Sequence, residues 1–413
     1  MLNWANQFNI FCMLDSNEYD LNYTSFECIL AVGSISTYQF NGANDFENLQ
    51  KFYDNNPTWL FGHLGYNAAS NAYHSKNEVK NSFNKGFFFE PITIIKLNAQ
   101  GISVIKSNVD DKEVLNQISN ASSTHTFLPS SKIIITPHFT KQAYVQKIIE
   151  LQKHIKRGNC YEMNFCQPFF AKQTIINPIE KYLKLVALSP TPFAALYKNN
   201  DNYCLCASPE RFLKKIANTL LSQPIKGTSK RNTNPIIDNQ NKNHLINSQK
   251  EKSENVMVVD MVRNDLSSIC TKGSVHVKEL FGIYSFAQVH QMISTVVGSI
   301  ANNTSFANAI QACYPMASMT GAPKPSVMQL IEQYEPIQRG LFSGSIGYIK
   351  PNNDTPNTQP DFDFNVVIRS IFYNTNSKEL HFFAGSGITF LSNAEEEYEE
   401  CMAKAEAIIK VLS

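Results

Sequence analysis

The chain has 413 residues, of which 43% are hydrophobic and 17% charged, with 36 basic against 35 acidic side chains. That apolar fraction excludes a disordered protein, and the length predicts two or three domains. The formal net charge of +1 gives no electrostatic basis for binding nucleic acid or a membrane surface.

The sequence has no apolar run long enough for a transmembrane helix, and its N-terminus lacks the basic and apolar regions of a signal peptide. Its nine cysteines are irregularly spaced, which is typical of reduced thiols in a cytoplasmic protein. We therefore expect a cytoplasmic enzyme.

The first 130 residues have the pattern of a mixed α/β segment. The apolar runs 86–97 and 101–107 are separated by Asn98-Ala99-Gln100, which predicts a β-hairpin. Residues 107–131 are rich in Ser, Asn and Asp, which predicts a surface linker and the best internal boundary.

A helix is expected after this linker. Thr140 suits its N-cap, and Gly158 suits the position after its C-terminus. Apolar residues recur between them at helical spacing, namely Tyr144, Ile148, Leu151 and Ile155. The run 160–170 directly after the helix predicts a strand.

Segment 229–243 is rich in Lys and Asn, which predicts an exposed loop ahead of another helix. The apolar residues of that helix are Val256, Val259, Met261, Val262 and Leu266. Three β runs at 343–350, 363–374 and 379–390 predict an antiparallel meander. A final helix over 394–412 is capped by Asn393. Its predicted buried face consists of Tyr398, Met402, Ala405, Ile409 and Leu412.

Lys226 stands between a proline-set turn and a glycine in segment 223–228. A lysine beside such a turn either binds a carboxylate or, when desolvation lowers its pKa, acts as a nucleophile. A solvated loop lysine is the simpler interpretation of this segment alone. Glu210, sixteen residues upstream, is either a surface charge or, if it faces the same cleft, a general acid.

Four glutamates form two i, i+3 pairs on predicted helices: Glu251 with Glu254, and Glu397 with Glu400. Each pair lies on one helix face. Two such faces brought together would offer hard oxygen ligands to Mg²⁺. The alternative is that these glutamates complement the helix dipoles, and that Glu400 pairs with Lys404.

Three further features have both a structural and a functional interpretation. Gly385-Ser386-Gly387 forms either a plain turn or a backbone nest for a carboxylate. Arg369 interrupts an apolar run, where it either faces solvent or binds a carboxylate through its guanidinium. His290 is either a core histidine or a catalytic one.

Six motifs resemble, in order and separation, those of the chorismate-utilising enzymes. That family includes anthranilate synthase component I, aminodeoxychorismate synthase component I and the isochorismate and salicylate synthases. The motifs are PIKGTSKR, SENVMVVDMVRNDLSSIC, ELFGIYSFAQVHQMISTVVG, YPMASMTGAPKPSVMQLIEQYEPIQRGLFSGSIGYI, DFNVVIRS and AGSGITFLSNAEEEYEECMAKA, within residues 135–413. The first 130 residues resemble the family loosely, with Met13-Leu14-Asp15-Ser16 where relatives carry a tryptophan-site motif.

Within the family, the chain most resembles the aminodeoxychorismate synthases. These enzymes typically have PIKGT, as here, whereas anthranilate synthases usually have alanine in place of Lys226. Isochorismate and salicylate synthases carry a water-activating lysine where this chain has Glu162. The resemblance implies amination of chorismate at C4 to 4-amino-4-deoxychorismate, on the way to p-aminobenzoate and folate.

The resemblance also implies catalytic roles. Lys226 is expected to attack C2 of chorismate as the C4 hydroxyl leaves with the help of Glu210, and His290 is expected beside the reacting ring. Because chorismate is a dianion and the protein is nearly neutral, positive charge and N–H donors must be concentrated locally.

For the metal, the resemblance implies that Glu254 and Glu400 bind Mg²⁺ directly and that Glu251 and Glu397 act through water. A further set is expected to hold the substrate carboxylates. It consists of Gly227, Thr228, Tyr348, Arg369, Gly385, Ser386 and Gly387.

The fold implied by the resemblance is α+β and like that of anthranilate synthase component I. Two antiparallel sheets form a core sandwich, with helices outside and the active site in a cleft. Residues 1–130 would be the variable N-terminal part and 131–413 the chorismate-binding catalytic region of one interleaved unit. The segment 107–131 would then be a loop within that unit.

None of the nine cysteines lies in a glycine-rich nucleophile elbow. The resemblance therefore implies a separate glutamine amidotransferase subunit as the ammonia source, and a separate lyase to remove pyruvate. Two alternatives stay open. One is anthranilate synthase component I, which aminates at C2 with loss of pyruvate; the other is a non-catalytic chorismate- or tryptophan-binding regulator.

Overall fold

A computed structural model describes residues 1–19, 22–69, 83–121, 133–352 and 359–413. Its strands are β1 (Ile10–Asp15), β2 (Cys28–Val32), β3 (Ser36–Gln39), β4 (Leu60–Leu64), β5 (Gly86–Glu90), β6 (Thr93–Asn98), β7 (Gly101–Lys106), β8 (Thr136–Pro137), β9 (Glu162–Ala171), β10 (Phe193–Asn199), β11 (Asn202–Ser208), β12 (Arg211–Ile216), β13 (Thr219–Gln223), β14 (Ile225–Lys230), β15 (His276–Ser285), β16 (Val289–Ser299), β17 (Gly321–Ala322), β18 (Ser345–Lys350), β19 (Asp361–Asn365), β20 (Ser370–Asn374) and β21 (Glu379–Thr389).

The helices lie between these strands and at both ends. They are α1 (Leu2–Ala5), α2 (Asp45–Asn55), α3 (Asp111–Asn120), α4 (Lys141–Lys156), α5 (Pro178–Leu188), α6 (Pro235–Asn247), α7 (Gln249–Ser267), α8 (Phe306–Cys313), α9 (Lys324–Tyr334) and α10 (Ala394–Leu412), with a 3₁₀ turn at Ala317–Met319. No helix in the described ranges has the length and apolar composition that crossing a lipid bilayer requires.

The described strands form two antiparallel sheets. In the first, of eleven strands, the order is β17-β9-β21-β20-β11-β10-β1-β2-β6-β7, with β8 also paired to β9. In the second, of ten strands, it is β14-β16-β13-β12-β19-β18-β4-β5-β3, with β15 also paired to β16. Strands from residues 1–130 and from residues 131–413 therefore pair with one another in both sheets.

The two sheets share an apolar core. One buried cluster joins residues of the first sheet, such as Cys12 and Tyr197, with residues of the second, such as Phe61 and Phe89. A second cluster joins the first sheet to α4, α5, α9 and α10, and a third joins the second sheet to α2, α7 and α8. The expected α+β sandwich with helices outside is confirmed.

Several local predictions are confirmed. Thr140 caps α4 by accepting from Ala143 N, and Gly158 follows the helix with a φ of +79°. Asn393 caps α10. The predicted buried face of α10 was only partly right, because Tyr398, Met402 and Ile409 are half-buried at its edge. The fully buried residues are Glu397, Cys401, Ala405, Ile408, Val411 and Leu412.

Two apolar runs that looked like single strands are each two strands. The run 86–97 splits between β5 and β6, which belong to different sheets, because Pro91 at the break has no N–H to donate to a ladder. The run 363–374 splits between β19 and β20, again in different sheets. Arg369 precedes β20 with a φ of +50°, and so it does not lie in a strand as expected.

Two segments expected to be irregular contain helices. The linker at 107–131 includes α3, whose Asp110 cap accepts from Lys112 N and whose buried face is only Val114 and Ile118. Its residues 122–131 lie outside the described part of the chain. In the loop expected at 229–243, Asn234 caps α6, which begins with the proline of an Asn-Pro pair.

Candidate active site

The centre of the site is an ion pair between Lys226 and Glu162. Lys226 lies on β14, not in a turn, where the pairing with β16 shifts between Ile225 and Thr228 and Gly227 has a φ of +98°. This bulge directs the lysine to the first strand residue of β9, so that Nζ donates to Glu162 Oε1. The side chains are 11% and 2% exposed.

Burial and neighbouring charges shift the pKa of Lys226 in opposite directions. Burial alone would lower the pKa of Lys226, but the carboxylates of Glu162, Glu254 and Glu210 outweigh it and raise that pKa above its ordinary value. Lys226 is therefore an ammonium in this structure and needs to lose a proton before it can act as a nucleophile.

Gly385, Ser386 and Gly387 lie within β21, which is paired with β9, so they form neither the plain turn nor the nest that the sequence suggested. Their role in holding a substrate carboxylate stays a prediction. Gly387 permits a close approach of side chains. A Cβ there would lie 2.9 Å from Lys226 Nζ and 3.0 Å from Glu162 Oε1. The buried hydroxyl of Ser386 beside it has no hydrogen-bond partner among the described residues.

Glu210 and Arg369 lie close together near Lys226. Glu210 is in the turn between β11 and β12, and its carbonyl accepts from Val366 N in the connection that carries Arg369. Burial raises the pKa of Glu210 to about 7, against the opposing effects of Ser318, Lys226 and Arg369. A carboxyl with this pKa is protonated in a large fraction of molecules at neutral pH, as a general acid requires.

The four glutamates converge from α7 and α10 around Lys250. Partial burial acts to lower the pKa of Lys250, but all four carboxylates together raise it. Burial also raises the pKa of Glu254 to about 7, with further contributions from Glu162 and Glu251 against Lys226 and Lys250. The site therefore concentrates negative charge that is only partly compensated.

Hydrogen bonds connect α7 to β14 and α10 to β21. Asn255 on α7 donates its side-chain Nδ2 to the backbone carbonyl of Lys226, and its side-chain Oδ1 accepts from Ser294 Oγ at 2.6 Å. A Cβ on Gly227 would lie 3.1 Å from Glu251 Oε2. On α10, Lys404 Nζ donates to Glu400 at 2.7 Å and to the Gly385 carbonyl at 2.9 Å.

The arrangement of the glutamates bears on a metal ion in two ways. Their carboxylate oxygens are the donors that Mg²⁺ prefers, and the buried Glu397 Oε2 has no hydrogen-bond partner among the described residues. Within those residues, however, no three His, Cys, Asp or Glu side chains are arranged as a ready metal-binding group. The chemistry of these donors fits a hard dication.

His290 is buried on β16, beside β14, and is held by two hydrogen bonds. Its Nδ1 lies 2.8 Å from Ser285 Oγ, and its Nε2 lies 3.1 Å from Asp238 Oδ1 on α6. This Asp also pairs with Arg231. The structure thus places His290 on the strand next to Lys226, with both ring nitrogens bonded to protein atoms.

Tyr348 on β18 and Thr228 on β14 complete the residues that were expected to hold substrate carboxylates. Tyr348 packs edge-on against Phe26 and lines a cavity with Arg211 and Asp363. Alternation along β18 turns it to that side of the strand. Its expected contact with a substrate carboxylate stays a prediction. Asp15 and Ser16 of the N-terminal motif line the same cavity. Thr228 is exposed opposite Gln291.

Sequence reasoning missed several residues of the site. Glu162 was singled out only by its position in the family motif, although a charge inside the apolar run 160–170 is the same signal that drew attention to Arg369. Asn255, Lys250 and Ser318 carried no distinguishing signal, because each is a common polar residue in a segment with no unusual pattern.

A family model described as chorismate binding enzyme matches residues 10–410, and the chain belongs to that family. In structure the chain resembles anthranilate synthase component I from Streptococcus pneumoniae, with a TM-score of 0.80 at 22% identity over 95% of this chain and 94% of that one. It also resembles the menaquinone-specific isochorismate synthase from Escherichia coli, with a TM-score of 0.76 at 17% identity over 100% and 91%.

Two curated relatives of the chain are aminodeoxychorismate synthases. The chain is 38% identical over 280 residues to the chloroplastic aminodeoxychorismate synthase of Arabidopsis thaliana, which covers 67% of this chain and 30% of that protein. It is 33% identical over 275 residues to aminodeoxychorismate synthase component 1 of Salmonella typhimurium, which covers 67% and 58%. The chain thus spans between about a third and three fifths of the relatives that it matches.

Proposed function

We propose that this protein aminates chorismate at C4 to give 4-amino-4-deoxychorismate. The observation that carries the proposal is the convergence of Lys226 with Glu162, Glu210 and Arg369 at one cleft. The names of the relatives that are 32–38% identical support the same reaction. The product would serve the synthesis of p-aminobenzoate and folate.

In this proposal, Lys226 gives up a proton to Glu162, its hydrogen-bond partner, and its amine attacks C2 of chorismate. The ring double bonds shift and the C4 oxygen leaves as water with the proton of Glu210, whose raised pKa suits that role. Ammonia then attacks C4 and gives one proton to the Glu210 carboxylate. The ring double bonds shift back, the bond from C2 to Lys226 breaks, and the lysine regains its proton from Glu162. Arg369 offers a guanidinium for one substrate carboxylate, and the Ser386 hydroxyl, which has no partner within the described ranges, offers a donor for another.

Mg²⁺ is the proposed cofactor, held by Glu254 and Glu400 directly and by Glu251 and Glu397 through water. The raised pKa of Glu254 supports this, as does Glu397 Oε2, which has no hydrogen-bond partner in the part of the chain that the structure describes, because a cation would compensate both. When bound, the ion would neutralise a substrate carboxylate. The four glutamates that would hold the ion lie on α7 and α10, which are hydrogen-bonded to β14 and β21.

The proposal includes two further enzymes and a cellular location. Ammonia would come from glutamine through a separate glutamine amidotransferase subunit, and a separate lyase would remove pyruvate. A cytoplasmic location is supported by the nine cysteines, which are all buried and free.

The deciding experiment is product identity. The protein is incubated with chorismate, Mg²⁺ and ammonium, with and without an aminodeoxychorismate lyase, and the products are separated by mass and fluorescence. We expect p-aminobenzoate only when the lyase is present. Fluorescent anthranilate without the lyase would favour C2 amination, the reaction suggested by the structural likeness to anthranilate synthase. No turnover would favour a chorismate- or tryptophan-binding regulator.

A further inference from the structure

A third polar side chain lies beside the Lys226–Glu162 ion pair. Asn164 follows Glu162 by two residues on β9, so alternation along the strand puts both side chains on the same face. It pairs directly opposite Gly387 of β21. A Cβ on Gly387 would lie 3.8 Å from Asn164 Oδ1, in addition to its short distances from Lys226 Nζ and Glu162 Oε1. Three polar atoms therefore border the space that glycine, having no side chain, leaves open.

The hydrogen bonds of Asn164 fix the direction of its amide. The side chain is buried, with an exposure of 8%, and Nδ2 donates to the carbonyl of Ser318 at 2.8 Å and to that of Thr320 at 3.4 Å. The reversed amide would bring its oxygen against these two carbonyl oxygens, so this orientation is the favourable one. Within the described ranges both side-chain hydrogen bonds of Asn164 are made by Nδ2. Its Oδ1 is therefore an acceptor directed at the space above Gly387, where a ligand or a water would satisfy it.

Ammonia suits this space in the proposed reaction. C2 and C4 of chorismate belong to one ring and are separated by a single carbon, so the nucleophile for C4 arrives beside the lysine that is bound to C2. Ammonia has three N–H groups and one lone pair, and the lone pair must face C4. Its hydrogens therefore need acceptors, and the oxygens of Asn164 and Glu162 at the border of the space can provide them.

The neutral amide also favours the reactive form of the ligand. A carboxylate would stabilise the ammonium ion, whose nitrogen has no lone pair with which to attack carbon. An amide oxygen accepts a hydrogen bond without adding a negative charge. After Lys226 has passed its proton to Glu162, that carboxyl is neutral as well, so neither acceptor then favours ammonium over ammonia.

We propose that Asn164 binds the attacking ammonia, with Oδ1 accepting one of its N–H groups in the space above Gly387. This site rests on the proposed function, in which the lone pair of ammonia forms the bond to C4 and one of its protons passes to the Glu210 carboxylate. Asn164 exchanges no proton in that step and instead holds the nitrogen with its lone pair toward C4. Asn164 therefore acts on the ammonia step and not on the earlier attack by Lys226.

The test separates these two steps. Asn164→Ala is assayed with chorismate and Mg²⁺ over a range of ammonium concentrations, at fixed pH and constant ionic strength. We expect kcat/KM for ammonium to fall by about tenfold, the effect of one lost hydrogen bond, while kcat/KM for chorismate stays parental. Without ammonium, intact mass should show the Lys226 adduct forming at the parental rate. The matched control is Gln167→Ala, which removes a buried amide from the other face of β9 and should keep the parental ammonium dependence.

A second variant, Asn164→Thr, makes the test independent of one substitution. Threonine suits a strand and retains a hydroxyl donor for the neighbouring carbonyls, but it lacks the amide oxygen, so it should show the same loss. Parental kcat/KM for ammonium in either folded variant would overturn the ammonia site. Adduct formation slowed as much as the ammonia step, or an equal loss in Gln167→Ala, would overturn it as well. A parent enzyme that forms no 4-amino-4-deoxychorismate would instead overturn the proposed function.

Discussion

The Lys226–Glu162 ion pair joins the two sheets at the active-site cleft, since β14 belongs to the ten-stranded sheet and β9 to the eleven-stranded one. The pair holds the proposed nucleophile in its unreactive, protonated form. A buried ion pair is worth little in net stability when it is intact, whereas removing one partner is costly. The ion pair therefore matters for function because it fixes the position of Lys226 and keeps the side chain of that lysine protonated.

Glu162→Gln should move the onset of covalent reaction to lower pH. Without Glu162, burial acts on Lys226 with less opposition, so the pKa of the lysine falls and more of its amine is neutral at a given pH. The rate of adduct formation with chorismate in the absence of ammonia, followed by intact mass from pH 6 to 10, measures this. Loss of the charged hydrogen bond should also reduce the free energy of unfolding by about 1–3 kcal/mol.

The matched control for that variant is Glu180→Gln, which removes a carboxylate from an exposed i, i+4 pair with Lys184. Its adduct formation should follow the parental pH profile. An unchanged onset in Glu162→Gln would show that this ion pair does not govern the reactivity of Lys226. Adduct formation in Lys226→Ala would remove that lysine as the nucleophile.

Gly387→Ala should impair the reaction while leaving the fold intact. The φ of Gly387 lies outside the left-handed region, so alanine adds no backbone strain, but its methyl would lie within 3.0 Å of both partners of the ion pair. Displacing reacting groups by about 1 Å costs up to about 100-fold in rate, and we expect a loss of that order in kcat.

Circular dichroism and kinetics on the same preparations measure this effect. Gly42→Ala is the control, because a Cβ at Gly42 meets nothing within 4 Å, and it should match the parent. Parental kcat in Gly387→Ala would mean that the ion pair relaxes around the added methyl without loss of function.

The sequence was informative about local elements and much less so about which residues meet. Capping residues such as Thr140 and Asn393 act within one helical turn, and their predictions were right. Lys226 and Glu162 are 64 positions apart and on different sheets, and no periodicity reveals such a contact. The family motifs singled out Lys226 and, by its position, Glu162, but not the contact between them.

The run 363–374 shows why a break in a strand cannot be predicted from the local sequence. It contains no Gly or Pro, so its pattern predicts one strand. In the structure its middle residues bond outside their own ladder: Val366 N donates to the Glu210 carbonyl, and Val367 N donates to the Gly344 carbonyl. These tertiary bonds break the strand and bring Arg369 beside Glu210. Local propensity carries no information about partners of this kind.

Mg²⁺ should bind more weakly at low pH. Glu254 has a pKa of about 7 in the metal-free protein, so protons compete with the ion for its carboxylate as the pH falls. For a single carboxyl of this pKa, affinity should drop about tenfold between pH 8 and pH 6. Calorimetric titration of the substrate-free protein with MgCl₂ measures the affinity independently of turnover.

Glu254→Gln should weaken Mg²⁺ binding at pH 8 and remove most of this pH dependence. Glu47→Gln is the control, because that carboxylate is exposed in a pair with Lys51 on α2. Equal Mg²⁺ affinity in parent and Glu254→Gln would remove Glu254 from the proposed metal ligands, whatever its effect on catalysis.

Lys181→Met should destabilise the protein through the end of α10. The buried Lys181 ammonium donates to the carbonyls of Val411 at 3.2 Å and Leu412 at 3.0 Å, which have no partner within the helix itself. Methionine keeps most of the volume but loses two charged hydrogen bonds and the favourable interaction with the dipole of α10, a cost of about 1–3 kcal/mol.

Urea unfolding followed by circular dichroism measures this loss of stability. The control is Lys184→Met, because Lys184 is half-exposed on α5, the helix that also carries Lys181. Because α10 also carries Glu397 and Glu400, the variant should need more Mg²⁺ for half-maximal activity. Parental stability in Lys181→Met would show that water replaces the lysine at these carbonyls at no cost.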